Sequence, residues 1–196
     1  MVNHIQEGTN AVVLITQSGP ETLPIGTPVP DFSLPATDGR TYSLASFSGS
    51  KLLVVSFTCN HCPYAKAYED RFSALVREFS PKGVAFLAIN PNDANRYPDD
   101  SFDAMKARAK EKNFQFPYLF DESQATARAY GAVCTPHLFV ADQQRNLAYE
   151  GRIDDSWKDE AAARSHDLRN ALEALLCGKP VPATNTNPMG CSIKWK

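Results

Sequence analysis

The sequence predicts an α/β fold in which a central mixed β-sheet is flanked by helices, and three features lead there. Compact runs of apolar and β-branched residues at 52–57 and 84–89 have the length of buried strands and are too short for helices. After the first of them apolar residues recur at steps of three and four, which marks a helix with one buried face. Two later runs, 137–141 and 148–153, are joined by a polar turn and read as a hairpin near the sheet edge. Strands separated by helices imply parallel pairing with right-handed crossovers, and the hairpin makes the sheet mixed.

Taken in order, residues 1–23 alternate polar and apolar stretches without sustained periodicity and are expected to lie over the core as an N-terminal extension. Pro28, Pro30, Pro35 and the pair Asp38-Gly39 punctuate a segment in which Phe32, Leu34, Tyr42 and Leu44 can pack, so a short β-hairpin is expected there. Beyond the strand at 52–57, Tyr68, Phe72, Leu75, Val76 and Phe79 share one face of a helix that runs from Tyr64 onward. Asn90-Pro91-Asn92-Asp93 ends the strand at 84–89, and Phe102, Met105 and Ala109 place a helix over 101–112. A short strand at 116–120 and a short helix at 124–130, closed by Gly131, follow. Leu168, Leu172, Leu175 and Leu176 mark a last amphipathic helix that Gly178 and Pro180 stop. One main domain, 24–180, is therefore expected, with a Pro- and Asn-rich tail, 181–196, that packs on it through Ile193 and Trp195.

A chain of 196 residues has room for one core of ordinary domain size. Lys plus Arg number 20 against 22 for Asp plus Glu, so the basic excess of a nucleic-acid or anionic-membrane binder is missing and neither is expected as a partner. The apolar run at 11–15 is far shorter than the about 20 residues that cross a bilayer. The ten residues before it carry no Lys or Arg of a secretory signal, so a cytoplasmic location is expected. Five cysteines, at 59, 62, 134, 177 and 191, are too few and odd in number for a structural disulfide framework. Reactive thiols or a metal site remain.

Cys59-Asn60-His61-Cys62-Pro63 stands where the strand at 52–57 hands over to a helix. Free N–H groups and the macrodipole at a helix start favour negative charge, so Cys59 is expected to ionise below the ordinary thiol value of about 8.5. Two intervening residues let the second sulfur reach the first, which divides attack by Cys59 from resolution by Cys62. His61 can donate a hydrogen bond or positive charge to the thiolate, and Pro63 suits the first helical position. Pro136, in a Thr135-Pro136 pair just before a strand, can turn the chain sharply into the sheet if its bond is cis, exposing backbone beside the cysteine loop. Thr58, Asn60 and Thr135 flank the pair and are the candidate substrate-binding residues, with Cys134 and Cys191 as candidate auxiliary thiols. Cys177 reads as structural. A zinc site of Cys59, Cys62, Cys134 and His137 is the alternative use of the same residues. Asp154 and Asp155 read as turn residues, and the acidic, amide-rich stretch 90–100 lacks the spacing of a calcium loop, so no metal or cofactor is assigned.

Strand, Cys-x-x-Cys, helix, then Thr-Pro before a hairpin and a final helix resemble the thioredoxin superfamily. Pro28-Val29-Pro30-Asp31-Phe32-Ser33-Leu34-Pro35 with Asp38-Gly39 is similar to the opening of its peroxiredoxin-like (AhpC/TSA-related) branch, named for alkyl hydroperoxide reductase and thiol-specific antioxidant proteins. Cys59-Asn60-His61-Cys62-Pro63, Asn90-Pro91-Asn92-Asp93, Cys134-Thr135-Pro136, Gly151-Arg152-Ile153-Asp154-Asp155 and Gly190-Cys191-Ser192-Ile193-Lys194-Trp195 together resemble a bacterial subgroup of that branch, over residues 25–196. The resemblance implies a thioredoxin-like fold with an N-terminal β-hairpin extension, Cys59 as nucleophile, Cys62 as resolving thiol and a cis Pro136. The departures matter as much. Thioredoxins carry a buried acid six residues before the first cysteine and usually Trp directly before it, where this chain has Leu53 and Thr58. Peroxiredoxins place Pro and Thr seven and three residues before the attacking cysteine; counting back from Cys62 gives Val55 and Cys59, and from Cys59 gives Leu52 and Ser56. Without that hydroxyl the peroxide transition state loses electrostatic stabilisation.

Three functional readings follow. The first is a thiol-disulfide oxidoreductase acting on a disulfide-containing protein or a small thiol or peroxide substrate. A thiol-dependent peroxide reductase re-reduced by a thioredoxin-type electron donor is the second, and a zinc-stabilised non-catalytic module is the third.

Overall fold

A computed structural model describes residues 12–14 and 23–196, so most of the expected N-terminal extension lies outside the described residues. The strands are β1 (Val12–Leu14), β2 (Ser33–Pro35), β3 (Thr41–Ser43), β4 (Leu52–Phe57), β5 (Val84–Asn90), β6 (Tyr118–Phe120), β7 (Cys134–Thr135), β8 (His137–Ala141), β9 (Leu147–Gly151) and β10 (Met189–Ser192). The helices are α1 (Pro63–Phe79), α2 (Phe102–Glu111), α3 (Ala125–Ala129) and α4 (Asp167–Leu176).

Five strands form the central sheet in the order β6-β5-β4-β8-β9. The crossovers make β4, β5 and β6 parallel, while β8 returns antiparallel to β4 and pairs with β9 as the expected hairpin. Both faces of this sheet are covered, which is why β4 reads as a continuous apolar run: all six of its residues are buried. Leu53, Val55 and Phe57 join Leu87, Ile89 and Phe139 in one core layer with the β2–β3 hairpin residue Leu34. On the other face Leu52 and Val54 meet Phe86 and Val140, covered by Tyr68, Phe72 and Leu75 of α1 and Leu168 and Leu172 of α4. The helical face expected of α1 is the face it buries. No helix among the described residues is long and apolar enough to cross a membrane.

A second, three-stranded sheet in the order β1-β10-β7 was not legible as periodicity. Strand β10 comes from the tail and runs antiparallel to β7, with Cys191 opposite Thr135 and Ser192 opposite Cys134. Approach is so close that a side chain at Gly190 would put its Cβ 2.2 Å from the Thr135 carbonyl oxygen, so only glycine fits there. Past the strand, Ile193 is buried, and the Lys194 N–H donates to Asn92 Oδ1 at 2.9 Å. Gln124 Nε2 donates to the Lys194 carbonyl at 2.9 Å, and the Arg128 guanidinium lies 4.2 Å over the Trp195 ring.

Gly190→Ala is expected to lower stability by about 1–3 kcal/mol through overpacking. Gly49→Ala, where nothing lies within 4 Å of the new Cβ, is the control and should change stability by no more than about 0.5 kcal/mol. Denaturant unfolding of the reduced proteins checks both.

Candidate dithiol site

The loop that carries the cysteine pair is set by its two ends. The Thr58 N–H still donates to the Ile89 carbonyl at 2.8 Å, continuing the sheet, and Cys62 is the N-cap of α1 with Pro63 at the first helical position. Between them Asn60 is an anchor. Its backbone N–H donates to Asp100 Oδ1 at 2.7 Å, its Nδ2 to the Asp99 carbonyl at 2.8 Å, and its Oδ1 accepts from the Tyr118 hydroxyl at 3.0 Å. The side chain expected to meet substrate is thus bonded to protein at both polar ends. Thr58 is half-buried and lines a narrow cavity with Cys59, Ala65, Phe116 and Pro136.

Both sulfurs converge on one residue. Cys59 Sγ lies 3.2 Å from Thr135 Oγ1, and Cys62 Sγ, as a thiol, donates to the Thr135 carbonyl at 3.1 Å. The Thr135-Pro136 bond is cis, as the resemblance implied, and it presents hydroxyl and carbonyl to the loop together. Cys59 and Cys62 are 2% and 0% exposed, in an apolar cluster with Tyr64, Ala65 and Cys191. Trp157 and Met189 pack against that cluster, and Trp157 lies 4.2 Å from the Tyr64 ring. Cys191 is therefore brought to the pair. Cys134 is not among that group: successive strand residues face opposite ways, and its sulfur reaches the Pro136 carbonyl at 3.5 Å.

The two thiols ionise as a pair and not singly. Burial pushes the Cys59 thiol well up, and its hydrogen bond to Cys62 adds to this. Cys62 is lowered to about 5, chiefly because the Cys59 S–H is directed at it, with further support from the Cys191 thiol and the Ala65 backbone N–H in the first turn of α1. The Thr135 carbonyl opposes a charge on Cys62, but it is one acceptor against several donors. The two sulfurs hold one proton between them: Cys62 occupies the mouth of the helix, while the Thr135 hydroxyl works to lower Cys59.

Beside the pair is a group that the sequence reading passed over. Asp100 is fully buried, and its carboxylate accepts His61 Nδ1–H at 2.5 Å, the Asn60 N–H, and Asn92 Nδ2 at 2.8 Å. Burial works to raise this carboxyl, but the bonds from His61, Asn92 and Asn60 more than offset it and hold Asp100 below the usual range. The His61 ring stacks on Tyr97 at 5.1 Å, and its Nε2 is buried without a partner. The amides of Asn90 and Asn92 were the available signal, since a buried carboxylate needs donors around it.

The four expected zinc ligands do not converge. His137 Nε2 lies 3.1 Å from Glu150 Oε1, deep in the main sheet, and Cys134 Sγ is directed at the Pro136 carbonyl. Among the described residues the ligand-type atoms that do gather belong to Cys59, His61 and Asp100, within 4.8 Å of one another. Donors around tetrahedral zinc stand about 3.3 Å apart. The 2.5 Å between His61 Nδ1 and Asp100 Oδ2 is a direct hydrogen bond, closer than two ligands of one zinc stand. Cys177 is exposed at the end of α4. Asp154 accepts from Arg71 Nη1 at 2.8 Å and from the Tyr68 hydroxyl at 2.9 Å, fixing α1 against the turn after β9.

The AhpC/TSA family model matches residues 25–150. An uncharacterised conserved protein from Geobacillus kaustophilus is 41% identical, with a TM-score of 0.85 over 89% of this chain and 94% of that one. A thiol:disulfide interchange protein of the thioredoxin family from Chlorobium tepidum TLS is 21% identical, with a TM-score of 0.61 over 77% and 97% of the two chains. Peroxidoxin BcpB from Mycobacterium tuberculosis is 21% identical, with a TM-score of 0.62 over 79% and 97%. The last two share the fold, which is thioredoxin-like. None of the curated proteins matches the chain.

In the reduced protein one thiolate is expected to titrate with a midpoint of about 5, followed by ultraviolet thiolate absorbance against pH. Cys62→Ser should abolish this step. Cys59→Ala should move it upward, because the leading donor to the anion is gone. A wild-type midpoint at the ordinary value of about 8.5 would refute the assignment.

Proposed function

The chain belongs to the AhpC/TSA family, and on that footing we propose that it is a thiol-disulfide oxidoreductase whose Cys59–Cys62 pair cycles between dithiol and disulfide. The observation that carries this reading is the placing of both sulfurs against Thr135 in one buried cluster. Cys59 faces the cavity and Cys62 is enclosed, so Cys59 meets the substrate. As Cys59 attacks one sulfur of a substrate disulfide, its proton passes to the Cys62 anion and the other substrate sulfur departs as thiolate. Cys62 then attacks Cys59 Sγ; the Cys59–Cys62 bond forms, the mixed disulfide breaks, and the proton of Cys62 goes to the departing thiolates. The substrate gains two electrons and the pair loses them. A dithiol protein donor of the thioredoxin type returns them by the reverse sequence.

His61 supplies proton traffic that thioredoxins draw from the acid replaced here by Leu53. One of its ring nitrogens lies within 4.8 Å of Cys59 Sγ, and Asp100 fixes the ring through Nδ1. Asp100 acts through His61 and is a positioning residue.

A peroxide reductase is the second reading, favoured by an anion on Cys62 at the mouth of α1. Thiols and a carbonyl surround that sulfur, and the hydroxyl a peroxide needs is turned to Cys59.

Three outcomes test these readings. Cys62→Ala should accumulate a mixed disulfide at Cys59 with a model disulfide peptide, while Cys59→Ser should show none; equal trapping by both variants would remove the assigned roles. Asp100→Asn should slow exchange by about tenfold or more and shift its pH profile, whereas a purely structural Asp100 would lower the rate without moving the profile. Stopped-flow peroxide consumption should be slow; rapid turnover lost in Cys62→Ser would replace the first reading with the second.

A further inference from the structure

Strand β10 holds a cysteine against the pair in a way that packing alone does not require. Cys191 is opposite Thr135 in the antiparallel register, the residue that both active sulfurs touch, and it is 2% exposed in the same cluster as Cys59 and Cys62. Its nearness favours the anion at Cys62 and in turn raises the Cys191 thiol. Cys62 therefore lies between two partners, Cys59 on its own loop and Cys191 on the tail. The tail is fastened on both sides of this contact. Upstream, the Glu150 N–H donates to the Thr184 carbonyl at 2.9 Å and the Thr186 N–H to the Glu150 carbonyl at 3.0 Å, along the edge of β9. Downstream, Lys194 and Lys196 are tied to Asn92 and Gln124. A thiol fixed in this manner reacts with its neighbour as an intramolecular group, without the entropy cost of an encounter.

We propose that Cys191 is a third redox thiol, which exchanges with the Cys59–Cys62 disulfide to give a Cys62–Cys191 disulfide and return Cys59 to the thiol. The inference rests on the dithiol reading above and extends it. Cys191 Sγ gives up its proton and attacks Cys62 Sγ; the Cys62–Cys191 bond forms as the Cys59–Cys62 bond breaks. The electron pair leaves on Cys59, which takes up the proton. No net electrons move, so the exchange needs no reagent beyond the disulfide that the first turnover makes. Burial, and then the Cys62 anion, hold Cys191 up at about 12 in the reduced protein. Once Cys62 is bonded that anion is gone, while the Lys194 ammonium still favours a thiolate at Cys191. The exchange is thus gated by oxidation of the pair. Its consequence is a Cys59 freed for a second disulfide while the first oxidising equivalent sits in a bond joining α1 to the tail.

Reduced wild-type full chain is treated with limiting glutathione disulfide, acid-quenched and alkylated, and its linked peptides are mapped by mass spectrometry beside Cys59→Ser. The expected result is a Cys62–Cys191 link in about one oxidised molecule in ten or more, alongside Cys59–Cys62, and no such link in Cys59→Ser, which cannot form the disulfide that Cys191 attacks. Cys59–Cys62 as the sole link with Cys191 fully alkylated, or an equal Cys62–Cys191 link in Cys59→Ser, would overturn the proposal, and the first of these leaves the dithiol reading standing. Oxidation without either link would overturn both. Should Cys59→Ser fail to fold, the wild-type map alone decides.

Discussion

The carbonyl of Thr135 is the point on which this site depends. Cys62 donates to it, the cis bond that follows turns it toward the loop, and β10 crosses so near it that only Gly190 fits. One oxygen thereby couples the cysteine loop, the edge of the short strand β7 and the tail. The hydroxyl of the same residue holds the other sulfur, at 3.2 Å. Two thiols of different loop position are matched to two polar atoms of one residue, and their separation follows from that match.

Closing the tail over the pair removes water, which changes what the thiols can do. In an apolar surround two negative sulfurs cannot coexist cheaply, so the pair keeps one proton and places it where the anion is best solvated by protein. The mouth of α1 provides that solvation for Cys62, through the Cys59 S–H, the Cys191 thiol and the Ala65 N–H. Asp100 is treated alike: its charge is buried but answered by His61, Asn92 and Asn60. Each buried charge has donors specific to one geometry, so the loop has little freedom to rearrange.

Helix α1 must itself be held still for its N-terminus to act on sulfur. The Arg71 guanidinium does this from the third turn, bonding Asp154, the Ser156 carbonyl and the Trp157 carbonyl. Removing either charge would leave the other buried and unpaired. The same bonds deliver Trp157 to the Tyr64 ring, which roofs the thiol cluster. Asp154, which reads from the sequence as an ordinary turn residue, thus sets the orientation of the helix and the cover of the site.

Periodicity and local chemistry determined the scaffold: two apolar runs of strand length, the face Tyr68-Phe72-Leu75-Val76-Phe79 and the closing hairpin all stand where the residues place them, because each buries its own apolar pattern against whatever lies opposite. The closeness of Cys59 to Cys62 was legible from their spacing, and their nearness to Thr135-Pro136 from a proline that turns the chain into the sheet beside the cysteine loop. Three matters were decided only by tertiary structure. The two sulfurs share one buried charge because Thr135 holds both and Cys191 closes the same cluster. Asp100 joins the site from a segment forty residues away, drawn there by the donors of the loop. The strand in the tail forms because β7 offers an open edge and Gly190 lets it approach, and no pattern within Met189–Ser192 could announce that, since its partner is supplied by the rest of the fold.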